Sequence, residues 1–110
     1  PVAVTGSDDH TVRVWDLGTG RPIGEPLTGH TNPVAAVATT VLDGRPVAVT
    51  GSWDATVRVW DLDAGVELGH GLTTTSAIYS LAVYGSDGAL VVVIAGGTMF
   101  ARVDLKVGLL

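Results

Sequence analysis

The chain has 110 residues, of which 46% are hydrophobic and 15% charged, and its formal net charge is −5. Its six Lys and Arg residues are scattered, which argues against nucleic acid or an anionic membrane as a partner, because both require clustered positive charge. The longest apolar run, residues 89–95, is far shorter than the ~20 residues of a membrane span.

The first elements along the chain are predicted strands. Residues 2–5, Val-Ala-Val-Thr, form a short apolar run that ends in Gly-Ser, and residues 7–10 have the Ser and Asp chemistry of a turn. Residues 11–15 alternate, which predicts a strand with Thr, Arg and Trp on one face and the valines on the other. A weaker strand follows at about residues 21–27, where two prolines favour an outer edge. Residues 34–39 predict a further apolar strand.

The same series then recurs almost unchanged. Residues 1–17 match residues 46–62 at fifteen of seventeen positions, at an offset of 46 − 1 = 45. The mismatched pairs are Asp8 against Trp53 and His10 against Ala55. Such a period indicates one supersecondary unit laid down repeatedly, each copy burying its apolar face on the next.

The second half of the chain extends the pattern with weaker copies. Strands are predicted at about residues 66–72 and 78–84, and two Asp-Gly turns lie at 43–44 and 87–88, at an offset of 87 − 43 = 44. One residue is therefore missing from the later copy, and we expect the deletion within residues 63–77. About ten short strands with brief connections predict consecutive antiparallel pairing, four strands to each period.

These residues resemble the WD-repeat β-propeller family. The signature in the middle copy comprises Gly29-His30, residues 51–54 and residues 57–61. The resemblance implies an all-β fold, a partial propeller of four-stranded antiparallel blades that is open rather than a closed ring. It divides the chain into strands b-c-d of a first blade (1–28), a complete middle blade (29–72) and a degenerate terminal blade (73–110).

The resemblance also implies a buried hydrogen-bond tetrad. Its members here are His30, Thr50, Asp54 and Trp60, with Thr5, Asp9 and Trp15 as a partial copy in the first blade. In the third copy these positions hold Thr74, Ile94, Thr98 and Asp104, so no tetrad is expected there. A hydroxyl–His–carboxylate catalytic triad is the competing interpretation, but it leaves the tryptophan without a role and requires an oxyanion hole and a cleft.

Trp53 is the candidate for partner contact. It occupies a turn tip where the first copy has Asp8, and in this family that turn lies on a rim used for binding. Either Trp53 is an exposed contact residue or it packs on a neighbouring blade's loop. The other rim candidates are Asp8, His10, Thr31 and Asn32.

No metal or cofactor site is predicted. His10, His30 and His70 do not cluster with acids at ligand spacing, and the absence of cysteine excludes thiolate sites. Cysteine absence also fits a reducing compartment, and we expect a cytoplasmic protein.

The functional prediction is a non-catalytic protein–protein interaction scaffold with an unidentified protein partner. The chain begins at Pro1 without a signal-like segment, so we expect a segment of a larger protein, and the degenerate last copy suggests that Leu110 is the parent's C-terminus. One alternative is the recognition end of an enzyme or signalling protein whose catalytic domain lies upstream. Another is self-assembly through open strand edges, although two chains would still lack strand a of the first blade.

Overall fold

Ten β-strands and no helix make up the described part of the computed structural model, which comprises residues 1–86, 89–97 and 100–106. The strands are β1 (Val2–Gly6), β2 (Val12–Asp16), β3 (Arg21–Pro22), β4 (Val34–Leu42), β5 (Arg45–Ser52), β6 (Thr56–Asp61), β7 (Val66–Thr73), β8 (Ile78–Ser86), β9 (Ala89–Gly96) and β10 (Phe100–Lys106). Within these residues, no helix long and apolar enough to cross a membrane is found.

The strands form three separate antiparallel sheets. The N-terminal sheet is β1-β2-β3, the middle sheet is β4-β5-β6-β7 and the C-terminal sheet is β8-β9-β10, each in chain order. No described strand of the N-terminal sheet pairs with the C-terminal sheet, so the arrangement is open. The prediction of an all-β chain built from consecutive antiparallel strands is confirmed.

Two strand predictions need correction. The strand expected over residues 21–27 is only β3, followed by an isolated bridge between Val12 and Leu27. The pairing breaks off because Pro22 and Pro26 have no amide to donate, and Gly24 between them has a left-handed φ of 70°. The strand expected over residues 34–39 is also longer, because β4 continues to Leu42.

The deletion in the later copy can be placed from the strand registers. Leu27 and Leu72 are equivalent at offset 45, since each faces the corresponding valine of the preceding strand. Val34 and Ile78 are equivalent at offset 44, since each begins its sheet's first strand. The lost residue therefore lies between Leu72 and Ile78, inside the predicted interval. The turn at 43–44 is present, with φ of 53° and 76°, whereas the turn at 87–88 lies outside the described residues.

The apolar core consists of two layers, one on each face of the middle sheet. The layer toward the N-terminal sheet contains Val12, Leu27, Val34, Ala48 and Trp60. The layer toward the C-terminal sheet contains Leu42, Val47, Val49, Val57, Val59, Ile78, Leu90, Val92 and Ile94. As the alternation predicts, the tryptophan and the valines of β6 point to opposite layers. The middle sheet is therefore buried on both faces.

Two equivalent glycines set how closely the sheets approach at one end. A Cβ atom on Gly6 would lie only 2.6 Å from Val34 Cγ1, and one on Gly51 would overlap the side chain of Ile78. Gly6 is the last residue of β1 and Gly51 is the penultimate residue of β5, and each faces the first strand of the next sheet. This close contact brings the turns that follow β1 and β5 against the loops that precede β4 and β8.

Candidate functional site

A chain of hydrogen bonds crosses the middle sheet from its interior to its loop end. Trp60 Nε1 donates to Thr50 Oγ1 over 2.8 Å, and Thr50 Oγ1 lies 2.7 Å from His30 Nε2. His30 Nδ1 lies 3.1 Å from Asp54 Oδ2. An indole can only donate and a carboxylate can only accept, so with a neutral imidazole that carries its proton on Nδ1 the chain runs from Trp60 to Thr50 to His30 to Asp54. The sequence-predicted residues of the tetrad are thus brought together.

This direction requires a neutral imidazole. His30 Nε2 accepts from the Thr50 hydroxyl, so the ring proton is on Nδ1, where it faces Asp54. The side chain of His30 is fully buried. Burial is the main cause that lowers the pKa of His30 below its ordinary value of 6.5, although the neighbouring Asp54 opposes this shift.

Asp54 is the point at which the buried chain meets the loops. Burial raises the pKa of Asp54, but hydrogen bonds from Thr56, the Thr31 amide and His30 together outweigh it and lower that pKa to about 2. The Thr31 amide donates to Oδ2 over 2.9 Å, and the Thr56 amide donates to Oδ1 over 2.9 Å. One carboxylate therefore joins the loop before β4 to the turn between β5 and β6.

Two further residues of this site were missed by the sequence analysis. The Thr56 hydroxyl contacts both Asp54 Oδ1 and, at 3.1 Å, His30 Nδ1. The Ser52 hydroxyl donates toward the carbonyl oxygens of Asn32 and Pro33, at 3.1 and 3.0 Å, and accepts from the Asp54 amide. The available signal was the pattern Ser-x-Asp-x-Thr, present in both copies as residues 7–11 and 52–56.

The partial copy in the N-terminal sheet has a different pattern of hydrogen bonds and ion pairs. Trp15 Nε1 donates to Thr5 Oγ1 over 2.9 Å, as in the middle sheet. Asp9, however, is exposed and forms an ion pair with Arg13 at 3.0 Å. Hydrogen bonds from Thr11 and Arg13 lower the pKa of Asp9 well below its usual range. The described residues supply no imidazole between Thr5 and Asp9.

In the third copy, an apolar residue occupies the position equivalent to Thr50. Ile94, which replaces the threonine, is 1% exposed and belongs to the core layer. Thr74 donates to the carbonyl oxygens of Ala55 and Ser76 instead of reaching a carboxylate. Asp104 pairs with Arg102 at 3.0 Å, and Thr98 lies outside the described residues.

The rim candidates lie on turns and loops at the end of the sheets where Gly6 and Gly51 allow neighbouring sheets to approach closely. We use "loop rim" for Asp8, His10, Thr31, Asn32 and Trp53, all of which are exposed. The Val34 amide donates to Ser7 O over 3.0 Å, and the Trp53 amide donates to Pro33 O over 3.1 Å. The turn after β1 is therefore bonded to the start of β4, and the turn after β5 is bonded to the loop before β4.

Trp53 combines features of both interpretations. Its ring meets Tyr79 of β8 edge-on, with ring centroids 6.1 Å apart and planes at 72°, yet half of the residue's surface remains exposed. Tyr79 is itself 53% exposed and was not identified from the sequence, because it lies on the neighbouring sheet. The two rings form an aromatic pair that spans the middle and C-terminal sheets.

Comparison with known families identifies the repeat. The WD domain, G-beta repeat, matches residues 1–16 and 20–61, more than half of the chain. The chain belongs to the WD-repeat family. Repeats of this family generally mediate protein–protein interaction.

Individual relatives match over shorter stretches or in fold. Coatomer subunit beta'-1 of Arabidopsis thaliana is 50% identical over 38 residues, which is 34% of this chain and 4% of that protein. Coatomer subunit beta'-2 of the same plant is 51% identical over 37 residues, again 34% and 4%. This chain thus spans a small fraction of the length of these curated relatives.

A solved structure supports the fold over nearly the whole WD-repeat chain. The crystal structure of the computationally designed Ika4 protein superposes with a TM-score of 0.76 at 28% identity. The match covers 97% of this chain and 61% of that one. The fold is therefore an open, partial β-propeller, as predicted.

The geometry of the WD-repeat tetrad suits mechanical support better than catalysis. Thr50 is completely buried, and its hydroxyl already donates to His30 and accepts from Trp60. It therefore presents no nucleophile to a substrate. Among the described residues, no group of three or more His, Asp or Glu side chains is placed to hold a metal ion.

Proposed function

We propose that this chain is a non-catalytic protein-interaction segment of a larger WD-repeat protein in the cytoplasm, and that the loop rim contacts the partner. Its three sheets would be the successive blades 1–28, 29–72 and 73–110. The observation that carries the proposal is the half-exposed Trp53. It stands at one of the two positions where residues 46–62 differ from residues 1–17.

The chemistry of Trp53 favours a binding residue. An indole that keeps half its surface in solvent offers a large apolar area, and tryptophan is enriched among residues that dominate interface energies. Its backbone is held by Pro33 and its ring by Tyr79, so little conformational freedom remains to be lost on binding. Exposed Thr31 and Asn32 in the adjoining loop supply polar groups for an outer ring of contacts.

In this proposal the tetrad holds the loop rim in position through hydrogen bonds to the strands. His30 precedes β4 and Asp54 lies in the turn after β5, whereas Thr50 and Trp60 belong to strands. The hydrogen-bond chain therefore ties a loop and a turn to the rigid interior of the blade. A rigid β-framework can position loops for specific contacts while the fold itself stays stable.

The test compares two substitutions of exposed apolar residues to aspartate. Trp53→Asp installs the residue that the first copy carries at the same turn position, so the fold should accept it. Val66→Asp is the matched control, because Val66 is equally exposed but lies at the start of β7, away from the loop rim. Each variant of the full-length protein is used for affinity capture from its own cells with quantitative mass spectrometry.

We expect a specific set of captured proteins to fall at least tenfold with Trp53→Asp and to stay unchanged with Val66→Asp. Purified candidates from that set should reproduce the difference in direct binding. A captured set that is indifferent to Trp53→Asp would contradict the assignment of the rim. Equal loss with both variants would attribute the effect to general surface apolarity.

A further inference from the structure

A β-bulge places Tyr79 beside the loop rim. The pairing of β8 with β9 skips Tyr79, which lies between the paired residues Ile78 and Ser80. A bulge changes the direction of the side chain of its extra residue, and here the ring of Tyr79 reaches the turn after β5, where it meets Trp53. We use "aromatic corner" for Trp53 and Tyr79, whose ring planes stand at 72° to each other.

The aromatic corner is held in place by its surroundings. A Cβ atom on Gly97 would lie 3.3 Å from Tyr79 Cε2, so the tyrosine ring lies against the backbone at that glycine. The turn that carries Trp53 is bonded to the loop before β8, because the Thr74 amide donates to Ala55 O over 2.8 Å. Both aromatic residues are nevertheless about half exposed. The corner is therefore a preformed site whose ring surfaces are open to solvent.

The other boundary between sheets provides an internal comparison. Ala35 is the extra residue of the bulge in β4, between Val34 and Ala36, and is thus equivalent to Tyr79. The turn that is bonded to the start of β4 carries Asp8 at the position of the tryptophan. Of the two sheet boundaries in the described residues, one therefore has the aromatic corner and the other does not. Packing of the repeat does not require the two rings.

The loops around the aromatic corner are acidic. The described loops and turns at this end are residues 7–11, 28–33, 53–55 and 74–77, and they contain three aspartates and no Lys or Arg. One of the three, Asp9, is paired with Arg13 at 3.0 Å. The other two, Asp8 and Asp54, leave an excess of negative charge at this end of a chain whose formal net charge is −5. A cation is the complementary ligand.

Asp54 brings one of these charges next to the aromatic corner. It directly follows Trp53 in the chain, and its side chain is 5% exposed. Hydrogen bonds lower the pKa of Asp54 to about 2, so the carboxylate is charged at neutral pH, whereas the lowered pKa of His30 keeps its imidazole partner neutral. Because burial weakens solvent screening, the charge of Asp54 attracts a nearby cation more strongly than an exposed carboxylate does.

We propose that the aromatic corner binds an arginine side chain of the partner protein, with the guanidinium plane against the exposed ring surfaces of Trp53 and Tyr79. This arginine site rests on the proposed function, since it gives the chemical group that the loop rim recognises. Aromatic faces attract cations, and tryptophan attracts them most strongly. Arginine suits an open corner better than lysine does, because a guanidinium is weakly hydrated and stacks flat on a ring. Its N–H donors stay free for acceptors such as the side-chain amide of exposed Asn32, in the loop to which the Trp53 backbone is bonded.

A proline-rich segment is the competing ligand, because exposed aromatic side chains also bind polyproline helices. Such a segment is uncharged and gains nothing from the negative charge around the aromatic corner. The observations therefore favour arginine, and a proline peptide serves as a comparison in the test.

The probes are short peptides of the form acetyl-Gly-Gly-Xaa-Gly-Gly-amide, in which Xaa is arginine, lysine or citrulline. Citrulline has nearly the shape of arginine but carries no charge. Each peptide is titrated into the ¹⁵N-labelled whole chain, and NMR follows the indole N–H signals. Trp53 lies in the turn after β5, whereas Trp15 and Trp60 lie within strands. We expect the arginine peptide to shift the Trp53 signal saturably and to leave the other two signals in place.

Charge and ring have separate controls. Replacement of arginine by citrulline should weaken binding about fivefold or more, and replacement by lysine about twofold or more. An increase in salt from about 50 to about 500 mM should weaken binding of the arginine peptide. In the protein, Tyr79→Leu should weaken binding about threefold or more, whereas Tyr79→Phe, which keeps the ring, should not. Unchanged Trp15 and Trp60 signals show that both variants keep the fold.

Four results would overturn the inference. They are the absence of a saturable Trp53 shift, equal binding of the arginine and citrulline peptides, arginine binding that is unchanged by Tyr79→Leu, and tighter binding of the peptide acetyl-Gly-Pro-Pro-Pro-Gly-amide. The last result would assign the aromatic corner to proline-rich segments.

The capture experiment with Trp53→Asp separates this inference from the proposed function. Loss of captured proteins without binding of the arginine peptide would contradict the arginine site alone. Selective arginine binding together with a captured set that is indifferent to Trp53→Asp would support arginine recognition and contradict the proposed function.

Discussion

The tetrad makes a sharp prediction because the chain contains its own control. Thr50→Val keeps the shape of the side chain but removes the hydroxyl that accepts from Trp60 and donates to His30, over 2.8 and 2.7 Å. Both partners are buried, so two polar groups are left unpaired. With each lost bond and stranded group costing on the order of 1–2 kcal/mol, the free energy of unfolding should fall by ~2–4 kcal/mol.

Thr5→Val is the identical change at the equivalent position of the first copy. Thr5 is exposed and has one such hydrogen bond, from Trp15, whose indole can turn to water instead. We expect a loss below about 1 kcal/mol.

Urea unfolding of both variants, with linear extrapolation, measures the difference. Equal shifts of the two midpoints would refute the argument that the histidine-linked chain stabilises the middle blade.

Three further predictions concern the same blade. Acid should destabilise it, because the pKa of His30 is lowered in the folded state and the unfolded chain therefore takes up the proton first as pH falls below about 6.5. Asp54 should add a further loss of stability between about pH 3.8 and 2. In urea midpoints measured from pH 7.5 to 5, a His30→Gln variant should depend less on pH than the wild type. Gly51→Ala should cost on the order of 1–3 kcal/mol in the same assay, since its Cβ would overlap Ile78; an unchanged midpoint would show that the sheets can separate freely. Trp60→Ala should lower the free energy of unfolding by ~3–5 kcal/mol because it opens a cavity in the core, whereas Trp53→Ala should change it little. Calorimetry measures both variants, and the reverse ranking would make Trp53 the core residue and Trp60 the surface one.

The sequence predicted the strand order well because that order follows from local signals. Alternation, Asp-Gly turns and the repeat offset each depend on residues close in the chain, and consecutive pairing then follows from short connections. The prediction for the third strand was too long because Pro22 and Pro26 interrupt the ladder, which leaves a two-residue strand and a separate bridge at Leu27.

The contacts between sheets were harder to predict. Tyr79 supports Trp53 from a neighbouring sheet, and nothing in the local sequence of either residue indicates the other. Thr56 joins the tetrad through a contact with His30, 26 residues earlier in the chain. Such contacts depend on how the sheets stack, which the repeat period implies only in outline.

Nearly identical sequence does not give identical chemistry in the two matching copies. Arg13 and Arg58 are equivalent, but Arg58 binds Glu67 of β7 at 2.9 Å, whereas the residue equivalent to Glu67 in the first copy is Pro22. Arg13 therefore binds Asp9, which in turn has no histidine to accept from among the described residues. The carboxylate at this position is an ion-pair partner in one copy and the end of a buried hydrogen-bond chain in the other. Its role is set by the segments that pack against the repeated motif, and the motif alone does not determine it.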